Sequence, residues 1–241
     1  MVLGSTKKMI VSIHQPSYFP WLGLLDKINK SDLFVILNDV QLTDRAYQHR
    51  NLFIKNFTHS HLLTIPIEKK GYRQKPLNTI MIADSKWQKK HLHYLQHNYK
   101  HHPYFDEIFP LLEPFFQKKY RFVYDALIDS MQIVFEIFDI KTPFIASSSL
   151  PHDRTLCKEA QIIDIVKLAK GDIYLSRRGA QDYQKEENFK KNSIELCYQE
   201  FSYPNYKQHK NGGCFIEELS SLDIAFNLGK KEAQLLLKGA L

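Results

Sequence analysis

An α/β fold with a mostly parallel, Rossmann-like sheet is what this 241-residue sequence predicts, on three observations. First, short β-branched or continuous apolar runs, at 9–13, 33–37, 143–146, 173–176 and 194–200, alternate with amphipathic stretches of helical period. Second, the opening segment reads strand, loop, helix, strand within about thirty residues, the size of a crossover unit. Third, helix, strand, glycine-containing loop and helix recur between 155 and 191, the pattern of a sheet with helices on both faces. The region 84–139 holds successive helical patterns and reads as a helical insertion. The chain is therefore expected to form one α/β domain over 9–241, preceded by a flexible extension at 1–8.

Each element has a local reason. Met9-Ile10-Val11-Ser12-Ile13 is a short β-branched run and reads as a buried strand; Leu22 to Lys30 is a short amphipathic helix; Leu33 to Leu37 is a continuous apolar strand. The segment reaching Asn56 reads as a basic loop, with Arg45, His49, Arg50 and Lys55 set among Tyr47, Phe53 and amides. Leu62 to Ile67 is a strand in which Pro66 argues for an edge. Glu68 to Arg73 is a basic turn, and Thr79 to Ile82 a short strand. Asp84 or Ser85 can cap a helix to about Tyr99. Tyr104 to Phe116 is an aromatic helical region that Pro110 and Pro114 should break. Arg121 to Phe138 carries apolar residues near a 3.6-residue period and reads as a core helix. Beyond it, Thr155 to Lys170 is helical and Gly171 should stop it in a left-handed conformation. Ile173 to Ser176 is a strand, Arg177-Arg178-Gly179 a turn, and Ala180 to Lys191 a helix. After the strand at 194–200 come an aromatic loop at 203–206, a flexible stretch at 209–213 and a final helix that Ser220 or Ser221 caps.

Composition bounds the function. Hydrophobic (44%) and charged (24%) fractions are ordinary for a soluble protein, while 13% aromatic residues is rich. A net charge of +7 and a pI near 9.1 favour an anionic partner such as a nucleotide, phosphate or nucleic acid. Cys157, Cys197 and Cys214 are few and widely spaced, which suits reduced thiols. No leader pattern opens the chain, and no apolar run reaches the ~18 residues of a membrane span, so a soluble cytoplasmic protein is expected.

The chemistry-bearing residues gather at strand ends. Ile13-His14-Gln15-Pro16-Ser17-Tyr18-Phe19-Pro20-Trp21-Leu22-Gly23 lies where the first strand meets the first helix, and Asp39 and Gln41 follow the second strand. Open parallel sheets bind ligands at the carboxyl ends of their strands, so these groups should face one space; a polar turn capping the strand is the alternative. Arg177, Arg178 and Gly179 stand at an expected helix start, where guanidinium groups and free N–H groups can hold a phosphate; a solvated basic turn is the alternative. His93, His97 and His101 recur every fourth residue, but no Cys or acidic ligand accompanies them and no metal site is expected.

These residues support a resemblance. His14-Gln15-Pro16, Tyr18-Phe19-Pro20-Trp21, Gly23, Lys27-Ile28, Ser31-Asp32, Asp39-Val40-Gln41 and Arg50-Asn51 resemble the WbqC-like family, associated with O-antigen and other surface-polysaccharide gene clusters. Lys90-His91-Leu92, His97-Asn98-Tyr99-Lys100, Pro103-Tyr104-Phe105, Tyr174-Leu175-Ser176, Gly179, Tyr183, Leu219-Ser220, Asp223 and Phe226-Asn227 extend the likeness over nearly the whole chain. Asn38 departs from it, standing where the family usually has an acidic residue; Arg177-Arg178 replaces small residues. A more distant resemblance concerns fold. The segment Gln15 to Leu24 looks like the first β-α-β of nucleotidylyltransferases, which read F-x-P-x-H-x-G-H, but Trp21 and Leu24 stand in place of both histidines, so their adenylyl-transfer chemistry is not expected.

The resemblance implies a cytosolic transferase that acylates or aminoacylates, for example with glycine, the amino group of a nucleotide-linked amino sugar. Such a reaction needs a base for the amine's proton and donors for the developing oxyanion. His14 is the expected base, with Asp39 orienting it or taking the role. The expected substrate-binding groups are Gln15, Tyr18, Trp21, Gln41, Arg50, Asn51, His91, Ser176, Tyr183 and Asp223, with Arg177, Arg178 and Gly179 on phosphate. An activated donor is required: an acyl-adenylate made from ATP, a charged transfer RNA and a coenzyme thioester are all open, as is the oligomeric state. Two other classes stand beside this reading, a non-catalytic nucleotide-sugar binding protein on the same fold and an RNA-binding protein driven by the basic charge.

Overall fold

The computed structural model describes residues 7–43, 47–56, 59–208 and 214–239. Six residues of the expected N-terminal extension, Arg45 and the glycine-rich stretch 209–213 lie outside them. In chain order the elements are β1 (Ile10–His14), α1 (Leu22–Asn29), β2 (Leu33–Ile36), β3 (Arg50–Lys55), β4 (His59–Thr64), α2 (Lys86–Tyr99), α3 (Phe105–Gln117), α4 (Val123–Phe138), β5 (Phe144–Ala146), α5 (Lys158–Leu168), β6 (Ile173–Ser176), α6 (Glu186–Lys191), β7 (Glu195–Tyr198) and α7 (Leu222–Leu237). They fall into two compact units, each assembled from separate stretches of chain.

The first unit comprises residues up to Gln15, Asp26–Leu37 and Lys141–Phe201. It holds a five-stranded sheet in the order β5-β2-β1-β6-β7, parallel at every pairing and flanked by helices. The α/β architecture read from the alternating pattern is therefore present. Val11 and Ile13, two residues apart on β1, share a face and pack with Val35, Tyr174, and Ile163 and Val166 of α5 and Phe189 of α6. Burial of each such aliphatic side chain contributes roughly 1.5–3 kcal/mol.

One local expectation changes its residue. The left-handed turn after α5 belongs to Lys170, with φ 56°, not to Gly171. Gly171 is required for space: a Cβ there would lie 2.7 Å from Val11 Cγ2 and 2.9 Å from Val166 Cγ1.

The second unit comprises Pro16–Leu25, Asn38–Ile140 and the chain from Ser202 on. Its β3 and β4 pair antiparallel from Arg50↔Thr64 to Lys55↔His59. The sequence reading made β3 a basic loop; the strand forms because Asn51 and Phe53 alternate inward, a period of two that the charges at either end obscured. The expected strand at Thr79–Ile82 is instead a 3-10 turn at Leu77–Thr79 followed by isolated bridges, Met81 to Phe122 and Ile67 to Ile82.

Nor do the prolines break α3. Pro110 and Pro114 lie one turn apart on its exposed side, where the carbonyls they deprive of partners can reach water, while Ile108, Phe109, Leu112, Phe115 and Phe116 are buried on the other. The high aromatic content is used here. Tyr18, Phe19, Phe53, Tyr99 and Phe226 are fully buried, with ring centroids 4.7 Å apart for Tyr18 and Phe19, 5.2 Å for Phe19 and Phe115 and 4.4 Å for stacked Tyr99 and Phe226. Among the described residues no helix is long and apolar enough to cross a membrane.

Candidate functional site

The candidate site lies where two neighbouring strands stop pairing. β1 pairs with β6 only at Ile10↔Ile173 and Val11↔Tyr174, whereas β1 with β2 and β6 with β7 each pair over four residues. Carried forward three residues, the β1–β6 register sets His14 level with Arg177. This is also the switch point of the sheet, since β2 lies on one side of β1 and β6 on the other, the position at which open α/β sheets receive ligands.

His14 ends β1 and is partly exposed. Its Nδ1 lies 2.7 Å from the Gln15 carbonyl oxygen. A carbonyl only accepts, so Nδ1 carries the proton and Nε2 presents a lone pair. Lys27, on α1, is 3% exposed, and its Nζ donates to the Ile13 carbonyl at 3.0 Å. Burial, then the Lys27 and Arg177 charges, lower the His14 pKa to about 3, against the Gln15 hydrogen bond that raises it. Burial and Arg177 likewise lower Lys27 to about 7. Among the described residues no carboxylate contributes to either shift.

The far wall belongs to β6. Ser176 is buried and donates through Oγ to Gln184 Oε1 at 2.8 Å, while its carbonyl accepts from Gln199 N at 2.7 Å. Arg177 follows directly and is exposed. The expected anion site at a helix start is not formed as the sequence suggested: Arg178 to Tyr183 is a 3-10 segment with Gly179 inside it, and α6 begins only at Glu186. Arg177 keeps its interest through its place beside His14. Arg178 is turned to Glu200 at 3.3 Å, an exposed pair, and Tyr183 is 54% exposed.

The structure thus brings His14, Gln15, Ser176 and Arg177 to one end of the sheet and adds Lys27, which sequence reasoning left out of the site. A signal for it existed. Asp26-Lys27 interrupts a short helix that is otherwise apolar as far as Ile28, and Asp26 is engaged with Lys30 at 2.9 Å and with Gln199 Nε2 at 2.6 Å, which leaves the lysine without its neighbouring carboxylate.

In the second unit, four expected binding residues are core. Tyr18 is 0% exposed, Asn51 2%, His91 5% and Asp223 0%. Tyr18 Oη donates to His91 Nδ1 at 2.9 Å, and burial lowers His91 to about 4, so it stays neutral and accepts. Asn51 Nδ2 donates to the carbonyls of Tyr18 (3.1 Å) and Phe19 (2.7 Å); the Ser220 hydroxyl donates to Phe19 O and that of Ser221 to Pro20 O. Ser221 therefore stands at the N-cap position of α7 but spends its hydroxyl on the loop. Asp223 accepts from Tyr206 Oη at 2.7 Å. Trp21 is half-buried with its ring over Gly23. Asp39 is partly exposed and Gln41 exposed, on a segment that binds Leu77 N through Val40 O and Asn78 N through Asn38 O; Arg50, partly exposed, opens β3. His14 belongs to the first unit and Asp39 to the second. Among the described residues no three His, Cys, Asp or Glu side chains converge as a metal site, and Cys157, Cys197 and Cys214 are free.

A five-stranded parallel sheet flanked by helices, with polar and cationic side chains at its switch point, defines an open-sheet α/β protein. The chain belongs to the WbqC-like protein family, whose profile matches residues 15–235. It is similar to a Mycobacterium tuberculosis (strain ATCC 25618 / H37Rv) protein named "Uncharacterized protein Rv1507c", 28% identical over 221 residues that cover 91% of this chain and 94% of that one. No solved structure matches the chain.

Proposed function

We propose that this protein is a transferase of surface-polysaccharide biosynthesis that acylates or aminoacylates the amino group of a nucleotide-linked amino sugar. Membership of the WbqC-like family supports the pathway. The observation that carries the chemistry is the His14 Nδ1 to Gln15 carbonyl hydrogen bond, which fixes the tautomer and leaves Nε2 as a proton acceptor.

In this reading the sugar amine attacks the acyl carbon of an activated donor. A C–N bond forms, the C–O or C–S bond to the donor's leaving group breaks, and the amine proton passes to His14 Nε2. His14 is a weak base because burial, and then the Lys27 and Arg177 charges, lower its pKa; phosphates of the substrate would offset the charges and raise it. Asp39, partly exposed in the second unit, is the alternative base, and Gln41 and Arg50 of that unit are substrate-binding candidates, each to be tested by its own substitution.

Purified protein should be incubated with nucleotide-linked amino sugars and with an acyl-adenylate-forming mixture, charged transfer RNA or a coenzyme thioester, and products followed by mass spectrometry. The expected result is a mass gain on the sugar equal to one acyl or aminoacyl group, lost in His14→Ala. Binding of the sugar nucleotide with no mass gain under any donor would reject transfer in favour of a binding protein.

A further inference from the structure

We propose that Lys27, with Arg177 and His14, forms a site for the diphosphate of a nucleotide-linked sugar, and that Lys27 is its central anion-binding residue. The inference deepens the transferase reading but rests on the sheet and on Lys27, so a binding protein would use the site equally.

The argument starts from what burial of an ammonium group requires. Lys27 is 3% exposed in α1, and its one hydrogen bond among the described residues goes to the Ile13 carbonyl at 3.0 Å. An ammonium carries three donors. A buried cation held by a single neutral acceptor is costly, and an anion that pairs with it offsets that cost. The groups facing Lys27 are His14 from β1 and Arg177 from beyond β6, both basic. On its own helix, Asp26 and Lys30 are paired with each other, and Asp26 also binds Gln199. Among the described residues no ion pair of Arg177 forms either.

The β1–β6 register and the Lys27 bond to Ile13 O place three nitrogen-bearing groups near the point where β1 and β6 separate; burial first, and then the like charges, lower the proton affinity of His14 and Lys27. A diphosphate diester, with two fixed negative charges, suits them in sign and number. It can accept from the lysine's remaining donors and from a guanidinium, which is suited to phosphate oxygens. The chemistry also sets a sign: binding a fixed-charge anion favours the protonated lysine, so the complex takes up a proton where free Lys27 is partly neutral.

The probe is UDP-N-acetylglucosamine, whose diester diphosphate does not titrate near neutrality, with inorganic pyrophosphate as comparator. Titration calorimetry should show binding by the wild type that weakens several-fold, by about tenfold per pH unit at most, above pH 7, with proton uptake read from buffers of different ionisation enthalpy. Lys27→Met, similar in length and uncharged, should weaken binding at least about tenfold and remove the proton uptake seen above pH 7, where the lysine is the titrating group. Its melting temperature at pH 7 without ligand should equal or exceed that of the wild type, because a buried charge is removed. A lower melting temperature with undiminished binding would assign Lys27 a purely structural role and overturn the proposal. Should Lys27→Met fail to fold, Arg177→Gln, at an exposed position, gives the second reading: about threefold or greater weakening is expected, and unchanged binding with no pH dependence in the wild type would reject the site. Binding of pyrophosphate alone supports the anion site without the sugar. Diphosphate binding through Lys27 with no acyl transfer refutes the transferase and keeps the site; transfer at unchanged KM in Lys27→Met does the reverse.

Discussion

The amide nitrogen of Asn51 lies 2.7 Å from the carbonyl oxygen of Phe19, a fully buried phenylalanine whose φ of 39° is in the left-handed region. Such a conformation costs a non-glycine residue roughly 1–2 kcal/mol. It persists because the same carbonyl also accepts from Ser220 Oγ and the Phe19 N–H donates to Ser130 Oγ. The loop that looked like a ligand-binding element is held in place at its backbone by buried side chains.

Asn51→Asp tests this directly. The side chain keeps its size but loses both donors, leaving two carbonyls facing a carboxylate, and a loss of about 2–4 kcal/mol in denaturant unfolding is expected. Asn51→Ala should fall in the same range. Near-wild-type stability of the aspartate variant would show that the hydrogen bonds do not hold the turn.

Gly23→Ala should destabilise for a different reason. The added Cβ would come within 2.2 Å of Trp21 Cη2, so the indole has to move. A cost of about 1–3 kcal/mol is expected. It should be largely recovered in the Gly23→Ala, Trp21→Leu double variant, and a thermodynamic cycle with no coupling between the two changes would contradict the contact.

The sheet was legible because β1, β2, β5, β6 and β7 are short apolar runs with helical patterns between them, a signal that composition and period carry alone. The hairpin was not, because Arg50 and Lys55 at the ends of β3 look like loop residues until Asn51 is seen to point inward. Of the candidate site, the placement of His14 and Arg177 at the carboxyl ends of strands was legible from the strand pattern. Lys27 was not singled out, since burial of a lysine depends on packing that periodicity does not reveal. Tyr18, Asn51, His91 and Asp223 were read as binding groups for the converse reason: a polar side chain inside a family motif looks the same whether it holds a ligand or a neighbouring carbonyl.

Asp223 makes the stability of the protein depend on pH. Burial raises its pKa to about 6, against hydrogen bonds from Tyr206, Tyr99 and Gln208 that lower it. Its Oδ1 is buried without a hydrogen-bond partner among the described residues. The folded state holds this proton up to about pH 6, whereas an unfolded aspartate releases it near pH 3.9. This group's contribution is therefore full below about pH 4 and is lost as pH rises through 6. Asp223→Asn should accordingly become more favourable relative to the wild type between pH 4.5 and 7.5, followed by thermal unfolding. A difference that is constant across that range would refute it.

His14 gives the opposite sign. Its folded pKa of about 3 lies below the ordinary 6.5, so stability from this group is present above pH 6.5 and is lost as pH falls toward 3. Imidazole resonances followed by NMR should show His14 neutral at pH 5, and Lys27→Met should raise its midpoint by removing a like charge. Protonation of wild-type His14 near pH 6.5 would mean that neither burial nor Lys27 acts on it as described.

The discontinuous build of the first unit bears on how the chain is made. Ile10 of the central strand pairs with Ile173, which follows it by 163 residues, as Asp172 follows Met9. At roughly 5–20 residues per second, a ribosome leaves β1 waiting on the order of ten to thirty seconds for its second neighbour. Throughout that interval the β1 edge that will receive β6 is open, as is the face of Val11 and Ile13 that will receive α5. Synthesis thus exposes the central strand of the sheet longest, and cellular yield should be governed by what shields β1 during translation rather than by the stability of the finished fold.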